Sequence, residues 1–237
     1  MARPSQLLVL FASILTLGRA HPGHARSLEA AAKQVPIGEP ALTINGIPPT
    51  TRSYWMRQAT LALDTPCPFA AFGAVVVNHT ANAGLGQLVC SGTNSNSKTG
   101  NPIMHGEMAA ITNCSITLTD PAGPYKLSPA QALAALADLS LYTNAESCPM
   151  CASAIRWAGF KEYIYGTSID TLIEKGWGQI RISSLDVVAQ SFDLPKPTRL
   201  LGEILTNETD PYFSWQFDPS YSCPKGCKRV SGTCKAA

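Results

Sequence analysis

Beyond residue 20 the chain has no apolar run near the length that a membrane-spanning helix needs, so no membrane partner is expected. No period of 20–50 residues recurs, which excludes solenoid and propeller arrays. Charge of one sign is also missing: Lys and Arg total 18 against 16 Asp and Glu. Arg3 and Arg19 fall within the first twenty residues, so the remainder balances 16 against 16. Proteins that grip phosphate backbones usually carry a clear positive excess. The one basic cluster, Lys225, Lys228, Arg229 and Lys235, reads as a solvated face. Neutrality therefore favours a small-molecule partner over nucleic acid. Histidine is scarce as well, with only His21, His24, His79 and His105 present.

The 237 residues, with eighteen glycines and eighteen prolines, fit one globular domain with extensions rather than two domains. The first twenty read as a secretory signal. Arg3 supplies the positive start, Leu7 to Leu17 the apolar run, and Gly18-Arg19-Ala20 the small residues of a cleavage site near Ala20. The expected organisation is a signal peptide at 1–20, an extended leader at 21–50, a domain at 51–218 and a Cys-rich tail at 219–237. A secreted location follows, and eight cysteines suit its oxidising route. Sequons at Asn78, Asn113 and Asn207 fit a glycoprotein, although Asn113 is expected to be too packed for modification.

Within the domain, Ser53 to Leu63 reads as an opening helix, and Phe72 to Asn78 with Gly86 to Gly92 as an antiparallel pair. A helix follows Asn101-Pro102, and Ser128-Pro129 opens another that runs to about Ala137. Strands are expected at Asp138 to Asn144 and Glu162 to Gly166, with a helix beginning at Cys148 between them. A helix near residues 168–175, a short strand near "QIRIS" (179–183) and a helix near 185–192 complete the expected core. Strands alternating with helices after a hairpin imply an α/β fold, a mixed sheet covered on both faces.

The stretch "ESCPMCASAI" places Cys148 at a helix N-cap, Pro149 at the first helical position and Cys151 in the first turn. Both sulfurs then sit at the positive end of the helix, where thiolate is favoured. Two thiolates suit zinc, which takes tetrahedral nitrogen and sulfur ligands and, for catalysis, leaves one position open. His105, in "NPIMHGEMAAITNC", is the natural third ligand, since His21 and His24 lie in the leader and His79 in a turn. Glu107, two residues on, is then a carboxylate beside the metal that does not ligate it, placed to move protons.

Together "HGEMAAITNC" and "LYTNAESCPMCASAI" resemble the cytidine-deaminase-like superfamily, in the branch of fungal cytosine deaminase, guanine deaminase and tRNA adenosine deaminase. The likeness covers roughly residues 53–217. It implies a three-layer α/β/α fold around a five-stranded mixed sheet, Zn2+ on His105, Cys148 and Cys151, and Glu107 as proton shuttle. It also implies that Asn94, eleven residues before His105, contacts the substrate base. The aromatic segment "DPYFSWQFD" would fold over the ring, with Phe213 and Trp215 as lids. Members are commonly dimers, so a homodimer is a possible partner. One departure stands out: the signature's Pro before the first cysteine is Ser147 here.

The expected function is a secreted, zinc-dependent hydrolytic deaminase of a free nucleobase or nucleoside, of guanine or cytosine type, releasing ammonia. Two alternatives stay open: deamination of adenosine in RNA, and a non-catalytic interaction protein on the same fold. At single residues, Cys-x-x-Cys also fits a redox disulfide, Asn94 fits a plain turn, and Phe213, Trp215 and Phe217 alternate as a packed strand would. Outside the zinc pair, Cys67, Cys90, Cys114, Cys223, Cys227 and Cys234 allow fifteen pairings. Cys67 and Cys90 flank the hairpin and could be bridged, Cys114 could be simply buried, and the tail is expected to be stapled.

Overall fold

A computed structural model describes residues 43–82 and 84–237. The expected signal peptide, its cleavage site near Ala20 and the leader up to residue 42 lie outside the described residues. The elements are α1 (Pro49–Leu61), β1 (Gly73–Asn78), β2 (Gln87–Thr93), α2 (Asn96–Thr99), α3 (Gly106–Thr119) and α4 (Pro129–Ala135). A 3-10 turn at Leu136–Asp138 leads to β3 (Ser140–Ala145), α5 (Pro149–Ala158), β4 (Glu162–Thr167), α6 (Ile169–Glu174) and α7 (Ser184–Gln190). β5 (Arg199–Leu201), the single turns α8 (Thr206–Thr209) and α9 (Pro211–Ser214), and the hairpin β6 (Cys227–Val230) and β7 (Thr233–Ala236) complete the chain. Among the described residues, no helix is long and apolar enough to cross a membrane.

The five-stranded sheet has the order β2-β1-β3-β4-β5. β1 runs antiparallel to β2 and β3, whereas β3, β4 and β5 are parallel. Side chains alternate across each strand, so a strand covered on both faces tends to be apolar at consecutive positions. β1 is: Ala74 and Val76 enter the core with Ala110 and Leu118 of α3, while Val75 and Val77 face Trp55, Met56 and Ala59 of α1. Leu141 and Tyr142 divide the same way on β3, as do Tyr163 and Ile164 on β4. Burying each Val, Leu, Ile or Met side chain among them contributes about 1.5–3 kcal/mol. The α/β/α layering is thus as the alternation of elements suggests.

Three readings are corrected. "QIRIS" is not a strand: Ile180 and Ile182 are exposed, and Ile182 N–H donates back to Ile180 O at 2.8 Å in a tight turn. The fifth strand is the three-residue Arg199–Leu201 instead, too short to carry an alternation signal. The aromatic segment near residue 213 is a turn of helix, α9, and not an extended strand. Asn113 is exposed rather than packed away, with its side-chain amide donating to Ser91 O at 2.8 Å.

The disulfides are Cys67–Cys227, Cys90–Cys114 and Cys223–Cys234. No Cys67–Cys90 bridge forms, because Cys90 faces α3, whose Cys114 is its partner. Cys114 is therefore bridged as well as buried. The tail is stapled within itself and also tied to residue 67.

A buried polar cluster closes the sheet at the N-terminal ends of β3 and β4. Arg52 of α1 donates to both Glu162 oxygens, at 2.9 and 3.3 Å, and neither side chain is more than 4% exposed. Ser140 and Asn45 also donate to Glu162, at 3.0 and 2.6 Å. Burial alone would raise the Glu162 pKa, but the Arg52 bond and charge, helped by Ser140 and Asn45, outweigh it and hold the pKa below its ordinary value. Glu162→Gln leaves Arg52 buried without its counter-charge and is expected to cost about 3–5 kcal/mol in urea unfolding at pH 7. A depressed folded pKa gives stability that is present above the unfolded value, about 4.3, and lost as pH falls through the folded one. The gap between wild type and variant should therefore narrow below about pH 4; a gap constant with pH would remove the ion pair from this role.

Candidate active site

The site forms where two helices begin. His105 is the N-cap of α3 and Cys148 the N-cap of α5, and neither side chain caps its own helix. Gly92 lets α3 sit directly on β2, since a Cβ there would collide with the backbone of Ala109 and Ala110. Asn144, fully buried at the end of β3, receives Gly73 N–H at 3.0 Å and donates to Ala71 O at 2.7 Å, which fixes the entry to β1 beside the site.

His105 Nδ1 lies 3.6 Å from Cys148 Sγ and 3.6 Å from Cys151 Sγ, and the three ligand atoms all fall within 4.8 Å of one another. Zinc bonds of about 2.3 Å to sulfur and 2.0–2.1 Å to nitrogen at the tetrahedral angle require an N–S separation of about 3.6 Å. The donor set and its spacing therefore fit zinc. Cys148 and Cys151 are not bonded to each other, so the redox-disulfide alternative does not describe this geometry.

Electrostatics follow the same pattern. The Cys148 pKa is drawn down to about 4, first by the hydrogen bond with Cys151 and then by His105. Cys151 is pushed up by that same bond and by burial. The bond with Cys148 raises the His105 pKa. Glu107, 5% exposed in the first turn of α3, has its pKa raised chiefly by burial. It is a carboxylate suited to holding a proton.

A cavity of about 300 Å³ opens onto His105, Glu107 and Cys148, and Asn94, Phe69, Phe72 and Trp177 also line it. Asn94 donates from its amide to Asn96 Oδ1 at 3.3 Å, while its own Oδ1 is buried with no partner. Phe213 and Trp215, expected as lids, are buried behind the lining at 0% and 2% exposure. Phe213 packs on Phe72 at 4.9 Å between ring centroids, and Trp215 on Phe69 at 6.0 Å. The rings that reach the cavity, Phe69, Phe72 and Trp177, were not singled out from the sequence. Trp177 between two glycines was the available signal, because a large ring in so open a turn has little helix or strand to serve.

Glu146 also borders the cavity and is spent on the scaffold: it accepts from Ile169 N–H at 2.8 Å and Ser184 N–H at 2.7 Å, the first residues of α6 and α7. Ser147, in place of the signature's Pro, donates its backbone N–H to Tyr163 Oη at 2.7 Å.

The sequence pattern of the "Cytidine and deoxycytidylate deaminase zinc-binding region" matches residues 49–167, half of the chain. Guanine deaminase of Bacillus subtilis (strain 168) is 29% identical over 146 residues, which span 61% of this chain and 79% of that protein. Among solved structures, guanine deaminase from Nitrosomonas europaea aligns with a TM-score of 0.47 at 17% identity, covering 70% of this chain and 82% of that one. A tRNA:A34 deaminase aligns with a TM-score of 0.42 at 19% identity, covering 64% and 98%. The chain belongs to the cytidine and deoxycytidylate deaminase family and is a zinc-dependent hydrolytic deaminase.

Proposed function

We propose that the chain is an exported deaminase of a free nucleobase, guanine before cytosine, with zinc held by His105, Cys148 and Cys151 and protons carried by Glu107. The observation that carries this reading is the buried Glu107 opening onto the same cavity as His105 and Cys148, with Cys151 completing the three-residue ligand-type cluster beside it. The Bacillus subtilis relative supports guanine as the base. The alternative, adenosine in RNA, gains nothing from a chain whose charges balance after residue 20. Three disulfides and the signal-like first twenty residues support export.

Zinc, when bound, supplies the Lewis acidity that brings the pKa of water toward neutrality. The chain's own groups do the rest. Glu107 takes a proton from the attacking water and passes it to the ring nitrogen, and a second transfer goes to the departing amine. Water adds its oxygen to the ring carbon and ammonia leaves, so the base exchanges an amino group for a carbonyl. The unpartnered Asn94 Oδ1 is an acceptor for a ring N–H or amino group, and Phe72 gives the base an apolar face.

Glu107→Gln should retain about one zinc per chain by elemental analysis while ammonia release from guanine falls about 10²–10⁴-fold, the usual contribution of a general acid–base group. A variant as active as wild type would take Glu107 out of the mechanism. Removing zinc with a chelator should abolish turnover and added zinc should restore it, whereas Cys151→Ser should bind zinc poorly and stay inactive after addition. Asn94→Ala should lower kcat/KM for guanine by about 10–100-fold, the effect of losing one hydrogen bond of about 1–3 kcal/mol in a closed site.

A further inference from the structure

The Cys-rich tail and the segment leading to it lie beyond the matched residues, and the chemistry above does not use them. They nevertheless hold two walls of the cavity. Phe69 and Trp177 line it with ring centroids 5.6 Å apart, and neither sits in a helix or strand. Gln216 donates its side-chain amide to Phe69 O at 2.9 Å, and the Trp177 indole N–H donates to Phe213 O at 2.8 Å. The Phe217 ring stands edge-on to both, 5.8 Å from Phe69 and 5.3 Å from Trp177. Gly176, with φ of +95°, makes room for it, since a Cβ there would lie 3.1 Å from that of Phe217.

Two further ties come from the tail itself. The Cys67–Cys227 disulfide anchors the chain two residues before Phe69. Lys175 donates to Tyr221 Oη at 2.7 Å, two residues before Trp177. These ties from one segment converge on two aromatics that no helix or strand holds. Phe69 remains 53% exposed where it lines the cavity, an aromatic face that a planar heterocycle would cover.

We propose that residues 213–227 form a brace for the substrate site, positioning Phe69 and Trp177 as the wall against which a planar base stacks. This rests on the nucleobase reading above. The brace acts on binding rather than on proton transfer, because its hydrogen bonds and ring contacts go to Phe69, Phe72, Trp177 and Lys175 and not to Glu107, His105, Cys148 or Cys151.

The test uses the full zinc-loaded chain. Cys67→Ser with Cys227→Ser removes the tie without leaving an odd thiol, Phe217→Ala removes the ring between the walls, and Phe217→Tyr restores it. For guanine, the first two should raise KM by about three- to tenfold with kcat changed by less than about twofold, and Phe217→Tyr should return KM to near wild type. Hydrogen exchange in segments 67–72 and 175–179 should quicken in the first two variants. Unchanged KM in both, or unchanged exchange, overturns the brace. If the wild type deaminates no guanine, the functional reading fails, and the exchange measurement alone then decides the brace.

Discussion

Two helix ends that leave their own first N–H groups uncapped meet at one point, and the chemistry of the molecule depends on that meeting. The contrast with other helices is direct. α4, α6 and α7 each begin with a serine, Ser128, Ser168 or Ser183, whose hydroxyl accepts from the third residue of the helix. α3 and α5 begin instead with His105 and Cys148, whose side chains turn away from that duty and toward each other. Free N–H groups and the helix dipole make both ends positive. That field favours thiolate over thiol at α5 and a developing negative charge in the cavity, which is the requirement for holding a cation through sulfur. Side-chain capping is given up at the two helix ends that bring the three ligand-type side chains together.

The sheet keeps this arrangement apart from the parts that stabilise it. Parallel β3 and β4 direct their C-terminal ends toward the cavity, and Asn144 with Glu146 ties the β3 end to β1, α6 and α7. The opposite ends carry Ser140 and Glu162, locked with Arg52 and Asn45 in a buried network. Charge that must be satisfied for folding therefore sits at one edge, and charge left available for chemistry at the other. Asn94 Oδ1 remains without a partner, and the Glu107 carboxyl, its pKa raised chiefly by burial, opens onto the cavity.

What the sequence made legible was local. A Cys, a Pro and a second Cys three positions on declare a helix start with two sulfurs near its first turn, and His105 with Glu107 marks the start of α3; the structure places His105, Cys148 and Cys151 within 4.8 Å of one another and Glu107 on the cavity that His105 and Cys148 line. Sheet layers were legible too, since β1 is apolar at consecutive positions from Ala74 to Val77 and the elements alternate along the chain. The remainder depends on contacts between distant segments. Cys67 pairs across 160 residues with Cys227, and no pattern near either one signals it. Phe69, Phe72 and Trp177 reach the cavity from separate loops, while Phe213 and Trp215 fall behind them because α9 turns their segment through a helical arc. β5 is set by its pairing with β4 rather than by its own three residues.

Ser147 shows how a departure from a motif can be absorbed without loss of the site. A proline at that position has no N–H to give. Serine has one, and it donates to Tyr163 Oη, which pairs at 3.1 Å with Ser184 Oγ, which in turn donates to Ser147 O at 3.1 Å. The ring of bonds closes on the residue where it began. All three members are at most 1% exposed, so each bond is made where water offers no substitute. Rigidity that a proline would bring through its fixed φ is supplied here by a buried network, and that network also grips α7 at its first residue. The loop carrying Cys148 is thereby tied to the same helix that Glu146 holds, so two adjacent residues immediately before the proposed zinc ligand share one anchor.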